Sequence, residues 1–410
     1  MLSLSKHKAA LRQAQHHKLH IGTLLKRTTP TLQFPQPGKK PANIYTRILP
    51  MTKESTIKSY SVYSAKAKLE KPISDATHTL TEISFLVVRI TLDTGIIGES
   101  YLLSFQYSPK AIAGALKDVG EMLLGEEVYN TVKVFEKINH ANEYFGMEGI
   151  NRWAQGAYNI AMWDAWCKTL NQPIWKVLGT SRTEVPIYGS GGWISYTVEE
   201  LIDEVSNYKS RGFKAVKIKV GKPDWKEDLE RLRLVREAVG IDINIMMDAN
   251  QGMDVAFALQ LAKAARDLNI NWFEEPIDHT DFAGYQLLRT QAGISLAMGE
   301  REYSTVPLRE LLVRNAIDIW QPDILRLGGV EAWRNSAALA GSFNIPVLPH
   351  YYKDYDIPLL CTISNGAGAE SFDWIDPLID YPLKIKNGMA SPHNRPGWGF
   401  GFKDEFLQEV

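Results

Sequence analysis

The chain has 410 residues, 45% of them hydrophobic and 23% charged, with 46 Lys+Arg against 47 Asp+Glu. The formal net charge of −1 joins two unlike parts: residues 1–50 hold nine basic side chains and no acid, leaving 37 basic against 47 acidic, a net of −10, in the remainder. Such an acidic body argues against nucleic acid as a partner, and no apolar run approaches the ~20 residues of a membrane span. In chain order, residues 1–50 come first, with four histidines, scattered prolines and little apolar periodicity. They are expected to be disordered and to carry no chemistry. A basic organelle transit peptide fits this composition; a non-native stretch upstream of a start at Met51 is the favoured reading.

From Ile57 to about Leu103 the pattern is strand-like, with ISFLVVRITL at 83–92 and a turn at Asp93-Thr94-Gly95. Helical stretches follow at Pro109 to Leu124, Val128 to about Asn142, and Gly149 to about Leu170. Strands followed by helices predict an α+β domain over 51–184. From Val185 the rhythm changes. Short apolar runs, AVKIKV (215–220), INIMMD (243–248), NWFEE (271–275), ISLAMGE (294–300), AIDIWQPD (316–323) and PVLPH (346–350), alternate with amphipathic helices such as Trp225–Val239 and Asp254–Leu268. This is α/β organisation, and the repeated βα units predict a parallel barrel over 185–375. A doubly wound sheet competes, but Gly189-Ser190-Gly191-Gly192 lacks the third glycine of its phosphate-binding turn. Residues 376–410 form a C-terminal segment. Two cysteines, Cys167 and Cys361, suit neither a disulfide framework nor a cysteine metal cluster, and a reducing cytoplasm is expected.

Each apolar run ends in or beside an ionisable residue: Lys219, Asp248, Glu274, Glu300, Asp323 and His350, at steps of 29, 26, 26, 23 and 27. Parallel strands would bring all six to the C-terminal mouth of a barrel, where barrel active sites lie. Asp248, Glu274 and Glu300 on three successive strands would repel one another unless a cation intervenes. Hard oxygen donors suit Mg²⁺, with Mn²⁺ as an alternative. Helix capping by Asp248 and a turn role for Glu274 are the competing explanations. Lys217 and Lys219 share one strand face, so each should lower the other's pKa, with the metal's field added, and make a usable base. Asp323 can orient His350 and favour its charged form. Glu370 lies 20 residues beyond His350, at the expected end of the next strand.

Taken in order, Lys217-Ile218-Lys219, Asp248-Ala249-Asn250, Glu274-Glu275-Pro276, Met298-Gly299-Glu300, Pro322-Asp323 with Gly328-Gly329, and Pro349-His350 resemble the mandelate racemase subgroup of the enolase superfamily. The resemblance runs from residue 57 to about 402, and takes in Gly95 to Leu102 and Pro396-Gly397-Trp398-Gly399. It implies a modified (β/α)₇β TIM barrel under an N-terminal capping domain. Loops near Ile73–Leu80 and Leu103–Ser108 would cover the barrel, and residues 376–410 would return to the cap. It further implies that Asp248, Glu274 and Glu300 hold Mg²⁺, that Lys219 is the base on one face with Lys217 beside it, and that His350 with Asp323 works on the other. Glu370 would hydrogen-bond the developing enediolate, and Asn250 would contact the α-hydroxyl. The expected partners are a small-molecule carboxylate and further copies of this chain.

Two bases permit racemisation or epimerisation of a 2-hydroxy acid, or dehydration of a sugar acid to a 2-keto-3-deoxy acid. Polar residues after His350 (Tyr351 to Asp356, including Tyr352) and after Glu300 (Arg301 to Tyr303) suit a polyol, and dehydration is favoured on that ground. A non-catalytic metal-dependent binding protein is the third reading; the presence of both Lys219 and His350 speaks against it.

Overall fold

The structure is a computed structural model and describes residues 55–410; the expectation for residues 1–50 falls outside this range. Ile83–Leu92 is buried along nearly its whole length, as its β-branched composition requires. It is one of the two inner strands of a four-stranded antiparallel sheet, between Ile57–Ala67 and Ile97–Leu103. The fourth strand, Gln408–Glu409, is the C-terminal end of the chain, and pairs with Ile57–Ala67. Gly95, at φ 85°, supplies the left-handed turn between two of these strands.

Pro109–Glu121, Thr131–Asn142 and Ile150–Thr169 are helices. The last buries residues around most of its circumference, so it is a central helix rather than a surface one. At Gly156 a Cβ would lie 2.7 Å from the carbonyl oxygen of Leu325. Glycine there lets the cap helix approach the backbone that follows Asp323.

Six parallel strands form the first part of the barrel: Val185–Gly191, Ala215–Lys219, Asn244–Asp248, Ile270–Glu274, Ser295–Met298 and Ile319–Trp320. Val347 bridges both Trp320 and Gly366, and Ala369–Ser371 pairs with Val185–Gly191, closing a ring of eight. Val198–Ser210, Trp225–Val239, Val255–Ala264, Phe282–Gln291, Thr305–Val313, Val330–Ser342 and Lys353–Leu360 are the helices between the eight positions. Thr197, Asp224, Asp254, Asp281 and Ser304 each accept a backbone N–H at the start of a helix, which is where short polar side chains satisfy otherwise orphaned donors.

Two of the expected strands are shorter than their apolar runs. Ile319–Trp320 is a two-residue ladder, and Pro346-Val347-Leu348-Pro349-His350 contributes single bridges at Val347. Proline cannot donate to a ladder, and Pro322, Pro346 and Pro349 punctuate both runs. The floor of the barrel is a separate cluster of Tyr188, Met246, Trp272, Ala297, Ile319 and Leu348. Met246, Trp272 and Leu348 each precede a charged residue of the mouth by two positions, as the strand period of two demands.

Candidate active site

All of Lys217, Lys219, Asn250, Glu300, Arg301, Asp323, His350, Tyr352 and Glu370 line one cavity of about 750 Å³ at the C-terminal mouth of the barrel. Asp75, His78 and Leu80 of the cap, with Leu103 to Phe105, form its outer wall. Asp248 and Glu274 lie just beneath, wholly buried and bonded to the two lysines.

Lys217 is the hub. Its ammonium lies 2.8 Å from each oxygen of Glu274, 2.6 Å from Glu370 and 3.8 Å from Asp248. Burial favours the neutral amine, but Glu274 and Glu370 outweigh it and hold the Lys217 pKa well above its ordinary value. Lys219 Nζ lies 2.6 Å from Asp248 and 5.5 Å from the centre of the Trp193 ring. Its pKa too is raised: burial lowers it and Lys217 adds to that, yet Asp248 prevails. The lowering expected from the sequence includes the field of a divalent cation on these carboxylates, which would act against their pull on the ammonium groups.

Glu274 is pushed up to about 7 by burial and by Asp248, with Lys217 opposing. Gln321 donates to its Oε2 at 2.8 Å. Glu300 behaves oppositely. Burial would raise its carboxyl, but His350, Arg301 and Arg326 hold it far below the ordinary range. His350 Nε2 is 3.4 Å from Glu300, and its Nδ1 is 2.9 Å from Asp323 Oδ2. Burial disfavours the imidazolium, but Glu300 and the Asp323 hydrogen bond raise its pKa. The other Asp323 oxygen accepts the backbone N–H groups of Leu325 and Arg326, so the dyad carboxylate is fixed as the cap of a helical turn.

Glu370 accepts from Ser190 Oγ at 2.7 Å and from the Tyr351 N–H at 2.9 Å. Asn250, at φ 42°, has a buried Oδ1 with no protein partner. Arg301 ties to Glu275 at 2.9 Å and borders Glu300. The Tyr352 hydroxyl accepts the Leu103 N–H at 3.0 Å, and the Tyr355 hydroxyl accepts the Tyr101 N–H at 2.7 Å. Both tie the segment after His350 to the cap.

Sequence reasoning missed Gln321, Arg326, Ser190 and the His279–Glu302 pair, which is bonded at 2.9 Å in the cavity wall. Gln321 and Arg326 flank Asp323 closely enough in sequence to have been suspected. The expectation of a polar loop after His350 is also corrected. Only Tyr351 and Tyr352 line the cavity; Lys353, Asp354, Tyr355 and Asp356 begin a helix and are buried under the cap. There Lys353 pairs with Asp376, and the Tyr101 hydroxyl donates to Asp354.

Among the described residues, no three His, Cys, Asp or Glu side chains are gathered tightly enough to enclose an ion. The donor set nevertheless fits a hard divalent cation. Asp248, Glu274 and Glu300 are buried carboxylates, and both Asp248 and Glu300 raise the Glu274 pKa by repulsion that a cation would relieve.

Known proteins share this architecture. Residues 58–179 match the mandelate racemase/muconate lactonizing enzyme N-terminal domain, and residues 200–406 the enolase C-terminal domain-like family. The chain is 29% identical over 344 residues to an L-talarate/galactarate dehydratase of Salmonella typhimurium, covering 82% of this chain and 86% of that one. It is 28% identical over 330 residues to a 3,6-anhydro-alpha-L-galactonate cycloisomerase of Streptomyces coelicolor, covering 80% and 91%. The crystal structure of an L-talarate dehydratase from Polaromonas sp. JS666, complexed with Mg and L-glucarate, superposes with a TM-score of 0.81 at 28% identity, covering 87% of this chain and 98% of that one. Cap and barrel both match over their lengths, and the chain belongs to the mandelate racemase/muconate lactonizing enzyme family of the enolase superfamily.

Proposed function

We propose that this enzyme dehydrates a sugar acid to a 2-keto-3-deoxy acid. One observation carries the reading: Lys219 on the second strand and the His350–Asp323 dyad after the sixth and seventh line one cavity, with three buried carboxylates on the strands between. The relatives named as dehydratases, and the Mg and L-glucarate bound by one of them, support it.

In the reaction, Lys219 Nζ takes the α-proton of the substrate carboxylate. Lys217 and Glu370 meet the charge that gathers on the carboxylate oxygens. Asn250, with its unpartnered Oδ1, accepts from the α-hydroxyl. His350 protonates the β-hydroxyl, the Cβ–O bond breaks and water leaves; the enol then takes up a proton to become the 2-keto acid. Arg301 and Tyr352 complete the substrate contacts from the rim. Mg²⁺, or Mn²⁺ in its place, held by Asp248, Glu274 and Glu300 would free the lysines from these oxygens and offset the charge that develops when the α-proton leaves.

A panel of C5 and C6 aldonates and aldarates, assayed for 2-keto acid with semicarbazide, should yield product from at least one member. Solvent deuterium at Cα with no keto acid would instead assign racemisation or epimerisation to the same two groups. Metal binding has its own readout. Mg²⁺ at about 100 times its Kd adds about 2.7 kcal/mol of stability, a rise in Tm of roughly 3–4 °C for a chain of this size. That rise should vanish in Glu300→Gln; an unchanged rise would remove Glu300 from the metal site.

A homo-oligomer in the cytoplasm is the proposed state. Both cysteines are free and buried, and no described helix is long and apolar enough to cross a membrane. Sedimentation at micromolar concentration as a single copy would overturn the oligomer.

A further inference from the structure

We propose that the preferred substrate is an aldobionic acid: a sugar acid with a second, closed sugar ring on its distal end. The proposal rests on the dehydration reading and deepens it. Metal-site carboxylates occupy the third to fifth strands, so the reacting carboxylate belongs on that side of the mouth. Facing it, beyond the seventh and eighth strands, stand Tyr351, Phe372 and Trp374, and Trp193, beyond the first, borders both Trp374 and Lys219. Phe372 stacks on Trp374 at 4.7 Å between centroids, and Trp374 on Trp193 at 6.0 Å. Tyr351 lies 5.5 Å from Phe372, and Phe105 of the cap meets Trp374 edge-on at 6.0 Å.

The distal half of a linear polyol would lie poorly here. Its hydroxyls would lose water against rings that offer few donors or acceptors, at a cost for each group left unpaired. A sugar ring differs, because its hydroxyls radiate from the edge and its C–H bonds form the face. Those hydrogens carry partial positive charge, and aromatic faces are negative. Asp75, His78 and Ser104 of the cap line the same cavity and offer polar groups to ring hydroxyls.

Size points the same way. The cavity of about 750 Å³ would hold roughly 25 waters at ~30 Å³ each, whereas a linear six-carbon sugar acid has only about 14 non-hydrogen atoms. A glycosyl ring nearly doubles that number and has the aromatic side to lie along.

The experiment compares kcat/KM for 2-keto acid release from lactobionate, cellobionate and melibionate with that from gluconate, galactonate, glucarate and galactarate. At least one aldobionate should exceed the best linear acid tenfold or more. Trp374→Ala should reduce that preference ratio at least tenfold, and Trp374→Phe, which retains a ring, should keep most of it. If Trp374→Ala does not fold, Phe105→Ala should lower the ratio in the same direction. A linear acid preferred over every aldobionate, or a ratio unmoved by removal of either ring, would overturn the proposal. Faster α-proton exchange in mandelate than turnover of any sugar acid would overturn it in favour of an aryl ligand. No keto acid from either panel would end the dehydration reading, and this proposal with it.

Discussion

Lys219→Ala should lower kcat by a factor of 10³ or more, with the circular dichroism spectrum and the Mg²⁺-dependent rise in Tm intact. General base catalysis contributes typically 10²–10⁴, and no second amine stands ready. Lys217, two residues away, is bound by Glu274 and Glu370 and lies deeper in the barrel over Tyr188. Removing Lys219 leaves Asp248 with the Asn250 N–H and the more distant Lys217. A divalent cation would compensate that carboxylate, so the fold and the metal site should persist. Activity within tenfold of the parent would sink the assignment of Lys219 as the base.

His350→Asn separates the two halves of the reaction. Water release should fall about 10²–10⁴-fold, as expected for loss of a general acid, while solvent deuterium still enters Cα because Lys219 is untouched. Asp323 would keep its hydrogen bonds to Leu325 and Arg326, so the turn that holds it should survive. Dehydration at the parent rate would exclude His350 as the acid. Loss of both exchange and dehydration would make His350 the base, and exchange the roles of the two sides.

The sequence disclosed the site through periodicity. One ionisable residue per βα unit is legible because a parallel barrel repeats its direction, and the strand period keeps the interior face constant. Hence Lys217, Lys219, Asp248 and Glu274, all on named strands, could be placed from spacing. Residues beyond the ladder ends were harder. Nothing in the pattern distinguishes Tyr351 and Tyr352, which face the cavity, from Lys353 to Asp356, which one helical turn carries beneath the cap. The aromatic wall draws on Phe105, Trp193, Tyr351, Phe372 and Trp374, from four separate loops, and closure of the ring between the first and eighth strands brings Trp193 to the others.

The tyrosine tethers bear on how such an enzyme can change its substrate. Tyr352 and Tyr355 grip the cap strand Ile97–Leu103 by the backbone N–H groups of Leu103 and Tyr101, and of its side chains Tyr101 adds ring contacts to both and a hydrogen bond to Asp354. Every residue type except proline offers that N–H. Side chains of the loop that follows this strand, residues 104–108, can therefore be exchanged to suit a different acid without releasing the segment that presents His350. Evolution, or a protein engineer, could revise what the pocket admits while the proton donor stays in register. Proline at position 101 or 103 is the substitution this freedom excludes.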